Sequence, residues 1–246
     1  MKTSTWQTEM SDLSPAQRHK ARILAERAAA DAAPGGVTAG SAYELMLYKL
    51  ANDRRTLSNI QSMERKIAVK AELLPEYQDW IDGVLSKGQG GQDDVFTSLL
   101  VWHIDCGEYD RAVEMARYAV EHKLTLPDQF NRDIPTMLLD EFSAAFLKGK
   151  LASDPVIAIE ILTQVRQLTE TADAPDQARA KLLKANAYAI LAVLDQDDAE
   201  LLKVSQLPQA EAAHALMERA VALFPGVGVK QTMDRLRARI LKTVPG

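Results

Sequence analysis

"GQGGQDDVFTSLLVWHIDCGEYDRAVEMARYAVEHKL", residues 88–124, decides how the rest of the chain is read. It opens on glycines and the acidic pair Asp93–Asp94. An apolar helix is expected next, then a turn at Cys106–Gly107. A second, amphipathic helix follows, with small residues at Ala112, Ala116 and Ala119. The pattern predicts a helical hairpin with a close-packed seam. It holds no nucleophile elbow, and the glycines are not followed by the lysine and hydroxyl residue of a phosphate-binding loop. An ATPase is therefore excluded as the reading of this stretch, and a binding or assembly protein is favoured.

Working outward, the composition fits the same picture. Hydrophobic residues make up 47 % of 246, enough for a substantial core. The abundance of alanine, leucine, glutamate, lysine and arginine favours helix. The overall charge of −5 exerts no global pull on nucleic acid. It is uneven, however. Residues 1–74 hold 11 basic and 8 acidic side chains, a net of +3, and the remainder holds 18 and 26, a net of −8. One cysteine, Cys106, rules out an intramolecular disulfide and a four-cysteine zinc site. No apolar run reaches the roughly 20 residues that span a bilayer, so a soluble protein without a membrane partner is expected.

Residues 1–13 read as a disordered tail. Ser14, Pro15 and Gln17 form a helix start with a capping box, opening a short basic helix. Residues 32–40, "AAPGGVTAG", read as a flexible linker. Ser41 and Glu44 suggest a second capping box. From there one long helix is expected to about Leu74, because Tyr43, Leu47, Leu50, Leu57, Ile60 and Ile67 recur at spacings of three, four and seven. Its narrow apolar stripe needs cover, from a second subunit or from the rest of the chain.

Further helices are expected over 75–87, 133–148, 153–171, 176–194, 208–224 and 229–244. Ala112 and Ala119 are seven apart, as are Ala213 and Ala220. That spacing resembles the second helix of a tetratricopeptide-type hairpin. The expected fold is all-α: a multi-helix bundle with a long central helix and tetratricopeptide-like antiparallel hairpins in the C-terminal half. The expected organisation is a tail (1–13), a basic helix with its linker (14–40), a core of long helix and hairpin (41–150) and a C-terminal hairpin region (151–246).

Candidate chemistry is sparse. Asp93, Asp94 and Asp105 are the carboxylates from which a two-metal nuclease site would be drawn. Asp93 and Asp94 are neighbours on a helix and diverge by about 100°. Capping of a helix N-terminus is their expected role. His19, His103, His122 and His214 contain no pair at i, i+4. His103 is expected as a satisfied core histidine, and Cys106 as a packing residue. No metal site and no cofactor are expected. The basic residues Arg18, His19, Lys20 and Arg22 on the first helix, with Arg54, Arg55, Arg65 and Lys66 on the long one, are the candidate contacts to phosphates.

Five blocks carry a family resemblance: "SPAQRHKAR" at 14–22, "YELMLYKLANDRRTL" at 43–57, "AELLPEYQDWIDGVL" at 71–85, the 88–124 hairpin and "LTETADAPDQARAKLLK" at 168–184. In this order they resemble the terminase small subunits of temperate tailed phages that package DNA from cohesive ends, a family also labelled the terminase endonuclease subunit. The resemblance implies a protein of the host bacterial cytoplasm that binds the packaging site on double-stranded viral DNA. It implies a homo-oligomer and a large-subunit partner that carries the ATPase. The endonuclease label implies DNA cutting, which would need Mg2+ on the Asp93, Asp94 and Asp105 set. The lysine- and arginine-rich tail of some relatives is missing after "LKTVPG".

Overall fold

The computed structural model describes residues 14–127, 132–195 and 201–243; the expected tail at 1–13 lies outside them. The architecture is all-α. The described residues contain no strand, only an isolated parallel bridge between Val37 and Gln92. Residues 1–134 and 135–246 form two compact units. No described helix is long and apolar enough to cross a membrane.

The first unit begins with α1 (Pro15–Asp31). Its start is the capping box read from the sequence: the Ser14 hydroxyl accepts from the Gln17 N–H, and the Gln17 side chain accepts from the Ser14 N–H. Its small residues Ala25, Ala28 and Ala29 are buried. They pack against α4 (Gln78–Lys87). The two backbones approach so closely that a Cβ placed on Gly83 would lie 2.6 Å from the Ala25 Cβ and 2.9 Å from the Glu26 amide nitrogen. Only glycine fits this crossing without displacement.

The stretch read as a flexible linker is held in place. Thr38 N–H donates to Gln92 O at 2.9 Å, and Gln92 N–H donates to Gly36 O at 2.7 Å. The glycine-rich segment before the hairpin is thus a surface for chain pairing, which composition cannot reveal.

The single long helix expected over 41–74 is in fact two helices, α2 (Ser41–Ser58) and α3 (Met63–Leu73), followed by a 3-10 turn at Leu74–Tyr77. The break has a local cause. The Ser58 hydroxyl donates to Arg55 O, and the Asn59 N–H turns back to Thr56 O. Ser62 then caps α3 by accepting from Arg65 N–H. Serine and asparagine compete with the helical backbone for its own hydrogen bonds, so such a cluster ends one helix and starts another. The Ser41–Glu44 box is also absent. Gly40 is the N-cap, with no side-chain cap, and Ser41 is already helical.

The hairpin forms as expected. Helix α5 (Asp94–Cys106) meets α6 (Tyr109–Glu121) through Gly107, which takes a left-handed φ of 79°. Gly107 N–H donates to Ile104 O and Glu108 N–H to His103 O, which satisfies the last carbonyls of α5. Ala112, Ala116 and Ala119 are buried. Around the hairpin Tyr77, Leu50, Leu74, Ile81, Phe96, Leu99, Leu100 and Met115 are fully buried. Tyr43 stacks on Trp80, and Tyr77 meets Trp102 edge-on.

The second unit contains α7 (Ile134–Leu147), α8 (Pro155–Leu168), α9 (Asp176–Leu194), α10 (Leu207–Leu223) and α11 (Lys230–Thr243). Helix α8 is capped by Asp154, one residue after the expected Ser153; its carboxylate accepts from Val156 N–H. Helix α9 has the expected bounds. It packs closely on α10, and Ala180, Ala187, Ala210, Ala213 and Ala220 are buried in the core that both helices build with Leu194 and Met217. Small residues at these positions let two helix axes approach. Ala180 and Ala187 of α9, like Ala213 and Ala220 of α10, are seven apart and buried.

Candidate nucleic-acid interface

Arg18, His19, Lys20 and Arg22 all lie exposed on α1. They do not act alike. Arg18 and Arg22 sit one turn apart and near Asp79 on α4. Burial raises the Asp79 carboxyl above its ordinary value, with Asp82 adding to the rise, and the two guanidiniums pull it back. Arg22 also meets Glu26, with Nε 3.6 Å from the carboxylate. Part of their charge is therefore spent inside the protein. His19 and Lys20 make no ion pair among the described residues. Arg27, absent from the expected set, stands seven residues after Lys20 and is exposed too. That spacing places both on one helix face, a signal the sequence did contain.

The cations of α2 and α3 divide similarly. Arg54 is half-buried beside Asp94; burial lowers its pKa, and Asp94 opposes the shift. Arg55 and Arg65 are exposed, and Lys66 is half-buried. Lys70 is closed off, its Nζ 2.5 Å from Asp105 and 5.8 Å from the Trp102 ring centroid. Among the described residues, Arg18, His19, Lys20, Arg27, Arg55 and Arg65 are exposed and form no ion pair.

The acidic candidates are dispersed along α5. Asp93 is the N-cap, as its position implied: Oδ1 accepts from Phe96 N–H at 2.8 Å. Its depth was not legible. At 1 % exposure it also accepts from Trp80 Nε1 at 2.9 Å, and burial pushes its carboxyl up to about 6 against the opposing pull of those hydrogen bonds. Asp94 accepts from the Gln92 side chain, and its N–H donates to the Tyr43 hydroxyl. Asp105 is one end of the pair with Lys70. At 1.5 Å rise per residue, Asp93 and Asp105 stand about 18 Å apart along the helix. One ion, or a pair about 4 Å apart, cannot draw on both ends. Among the described residues, no group of three or more His, Cys, Asp or Glu is placed to hold a metal. No step through Mg2+ can be built on this set.

His103 is buried in the core as expected but is only half satisfied, because its Nε2 is buried without a hydrogen-bond partner. Nδ1 lies 2.7 Å from the Glu108 carboxylate. Burial lowers its pKa, and Glu108 works against that. Cys106 is pushed up to about 11 by burial and donates to Ile67 O, so its thiol is not an activated nucleophile.

Comparison with known proteins places the chain among phage terminase subunits. Residues 47–177 match the family described as "Phage small terminase subunit". The chain is 40 % identical over 233 residues to "Terminase, endonuclease subunit" of Escherichia phage P2, covering 94 % of this chain and 87 % of that protein. It is 24 % identical over 204 residues to "Probable terminase, endonuclease subunit" of Haemophilus phage HP1 (strain HP1c1), covering 82 % and 72 %. No solved structure matches the chain.

Proposed function

The chain belongs to the phage small terminase subunit family, and from that premise we propose that it binds the cohesive-end packaging site on double-stranded viral DNA in the host cytoplasm. It assembles as a homo-oligomer and hands the DNA to the large terminase subunit, which supplies the ATP-driven motor. The observation that carries this reading is the match along nearly the whole chain, joined to the group of cations on α1, α2 and α3 that form no ion pair among the described residues.

Lys20, Arg27, Arg55 and Arg65 are long, exposed and positively charged, the residue types that hold backbone phosphates. About four such contacts per protomer give weak binding at physiological salt. Several protomers on one duplex multiply that grip through effective concentration. Leu45 and Tyr48, one turn apart on α2, are 66 % and 70 % exposed and support contact between copies. Retention of a cohesive-end duplex should therefore be strong at low salt and fade steeply as salt rises. Indifference to that duplex at low salt would refute the proposal.

A second reading is motivated by the names of these two relatives, which carry the word endonuclease. In that reading this chain cuts the duplex itself with Mg2+, and Asp94→Ala abolishes cutting. The dispersal of Asp93, Asp94 and Asp105 along α5 opposes it. Cleavage by the purified chain alone would favour this second reading; cleavage only after the large subunit is added would favour the first.

A further inference from the structure

The second unit contains a cavity of about 380 Å³. Its lining combines the partly exposed Leu183 of α9 and Leu223 of α10 with Arg166, Arg179 and Arg219. The three arginines are not equivalent. Arg179 is committed: its guanidinium donates to Thr169 O at 3.0 Å and to Ala172 O, closing the C-terminal end of α8. Arg166 is half-buried, and its Nε is shielded from solvent with no hydrogen-bond partner. Arg219 is exposed on α10. Neither Arg166 nor Arg219 forms an ion pair among the described residues, although Glu170 and Asp176 line the same cavity.

A half-buried guanidinium with an orphaned Nε is costly unless an anion arrives. Arg166 stands in the last turn of α8, where the helix dipole favours a cation. That accounts for a basic residue at this place. It accounts neither for a second unpaired arginine lining the same cavity nor for the leucines that line it with them.

We infer that this cavity is a docking site for an acidic peptide segment of a protein partner, with a carboxylate held by Arg166 and Arg219 and a neighbouring aliphatic side chain on Leu183 and Leu223. Guanidinium groups present planar forks that match a carboxylate. The volume falls in the range of pockets that enclose side chains. A nucleic-acid backbone suits the site less well, because phosphates and sugars would leave the leucines without apolar contact. Glu170, four residues after Arg166 on the same rim, is the internal competitor for the cation and keeps the empty site from collecting anions indiscriminately.

The test uses the full-length protein and an acetylated, amidated hexapeptide alternating leucine and glutamate. Titration calorimetry gives affinity, and the Arg166 Nε–H resonance reports occupancy. The expected result is saturable binding that weakens roughly tenfold in Arg166→Gln and in Arg219→Gln, the worth of one charge-assisted pair. Glu170→Gln should tighten it. The same peptide with glutamine in place of glutamate should bind at least about tenfold more weakly. Arg219 is on the surface, so its variant separates loss of the site from loss of the fold. No saturable binding at millimolar peptide, equal binding of the glutamine peptide, or affinity unchanged in Arg219→Gln would overturn the inference. Tighter capture of inorganic phosphate or of a short duplex than of the peptide would overturn it as well. DNA binding through α1 can succeed or fail independently of all these outcomes.

Discussion

Replacing Asp93 with asparagine removes a charge from the centre of the first unit without changing its shape. The carboxyl is 1 % exposed, and burial pushes it up to about 6 from an ordinary 3.8. A difference of about 2 units corresponds to about 3 kcal/mol between the two protonation states. The folded-state value lies above the unfolded one, so the folded state binds the proton more tightly. The stabilisation from this group is fully present below about pH 4 and is lost as pH rises through about 6. Asparagine cannot titrate and lacks this dependence. Its oxygen can still accept from Phe96 N–H, but its NH2 then faces the Trp80 N–H, an unsatisfied pairing that costs about 1–3 kcal/mol at every pH.

The stability advantage of the native protein over Asp93→Asn should therefore be largest near pH 4 and shrink by about 3 kcal/mol by pH 7. Urea unfolding followed by tryptophan fluorescence, at closely spaced pH values for both proteins, reads that difference directly. Other carboxylates titrate in both proteins and cancel in the comparison. An advantage that stays constant between pH 4 and pH 7, or that grows with pH, would refute the description of Asp93 as a buried cap held against its charge.

Gly83→Ala forces a Cβ against Ala25 at the α1–α4 crossing and should cost about 1–3 kcal/mol; an unchanged melting temperature would contradict that crossing. Lys49→Met removes the cation shared by Asp53 at 2.7 Å and Glu76 at 2.9 Å, which also lies over the Tyr77 ring. It leaves two half-buried carboxylates facing each other and should cost about 2 kcal/mol by urea unfolding, with an additional Asp53→Asn recovering part of the loss. In DNA retention, Lys20→Ala with Arg27→Ala should flatten the logarithmic salt slope by about 2 per protomer. Arg54→Ala, whose cation already lies beside Asp94, should change the slope little.

What was legible in the sequence was local. The Ser14 capping box, the Gly107 turn, the cap at Asp93 and the bounds of α9 all rest on interactions between residues a few positions apart. The break between α2 and α3 was masked by the apolar rhythm, which runs across it. Leu57, Ile60 and Ile67 keep helical spacing whether or not the backbone continues, and the decisive signal was the Ser58, Asn59 and Ser62 cluster. The pairing of the basic residues was hidden for a different reason. Whether a cation is free depends on carboxylates far along the chain: Asp79 for Arg18 and Arg22, Asp94 for Arg54, Asp105 for Lys70. Pairings between residues 35 or more apart leave no mark on local composition, so which cations are paired inside the protein could not be read without the fold.

The most direct test of the central claim is the mass of the intact particle in native mass spectrometry or sedimentation equilibrium, with and without a cohesive-end duplex. The account predicts a multiple of the 27.1 kDa chain that takes up the duplex at low salt and releases it at high salt. A particle of one chain's mass that leaves the duplex unbound under the same conditions would contradict it.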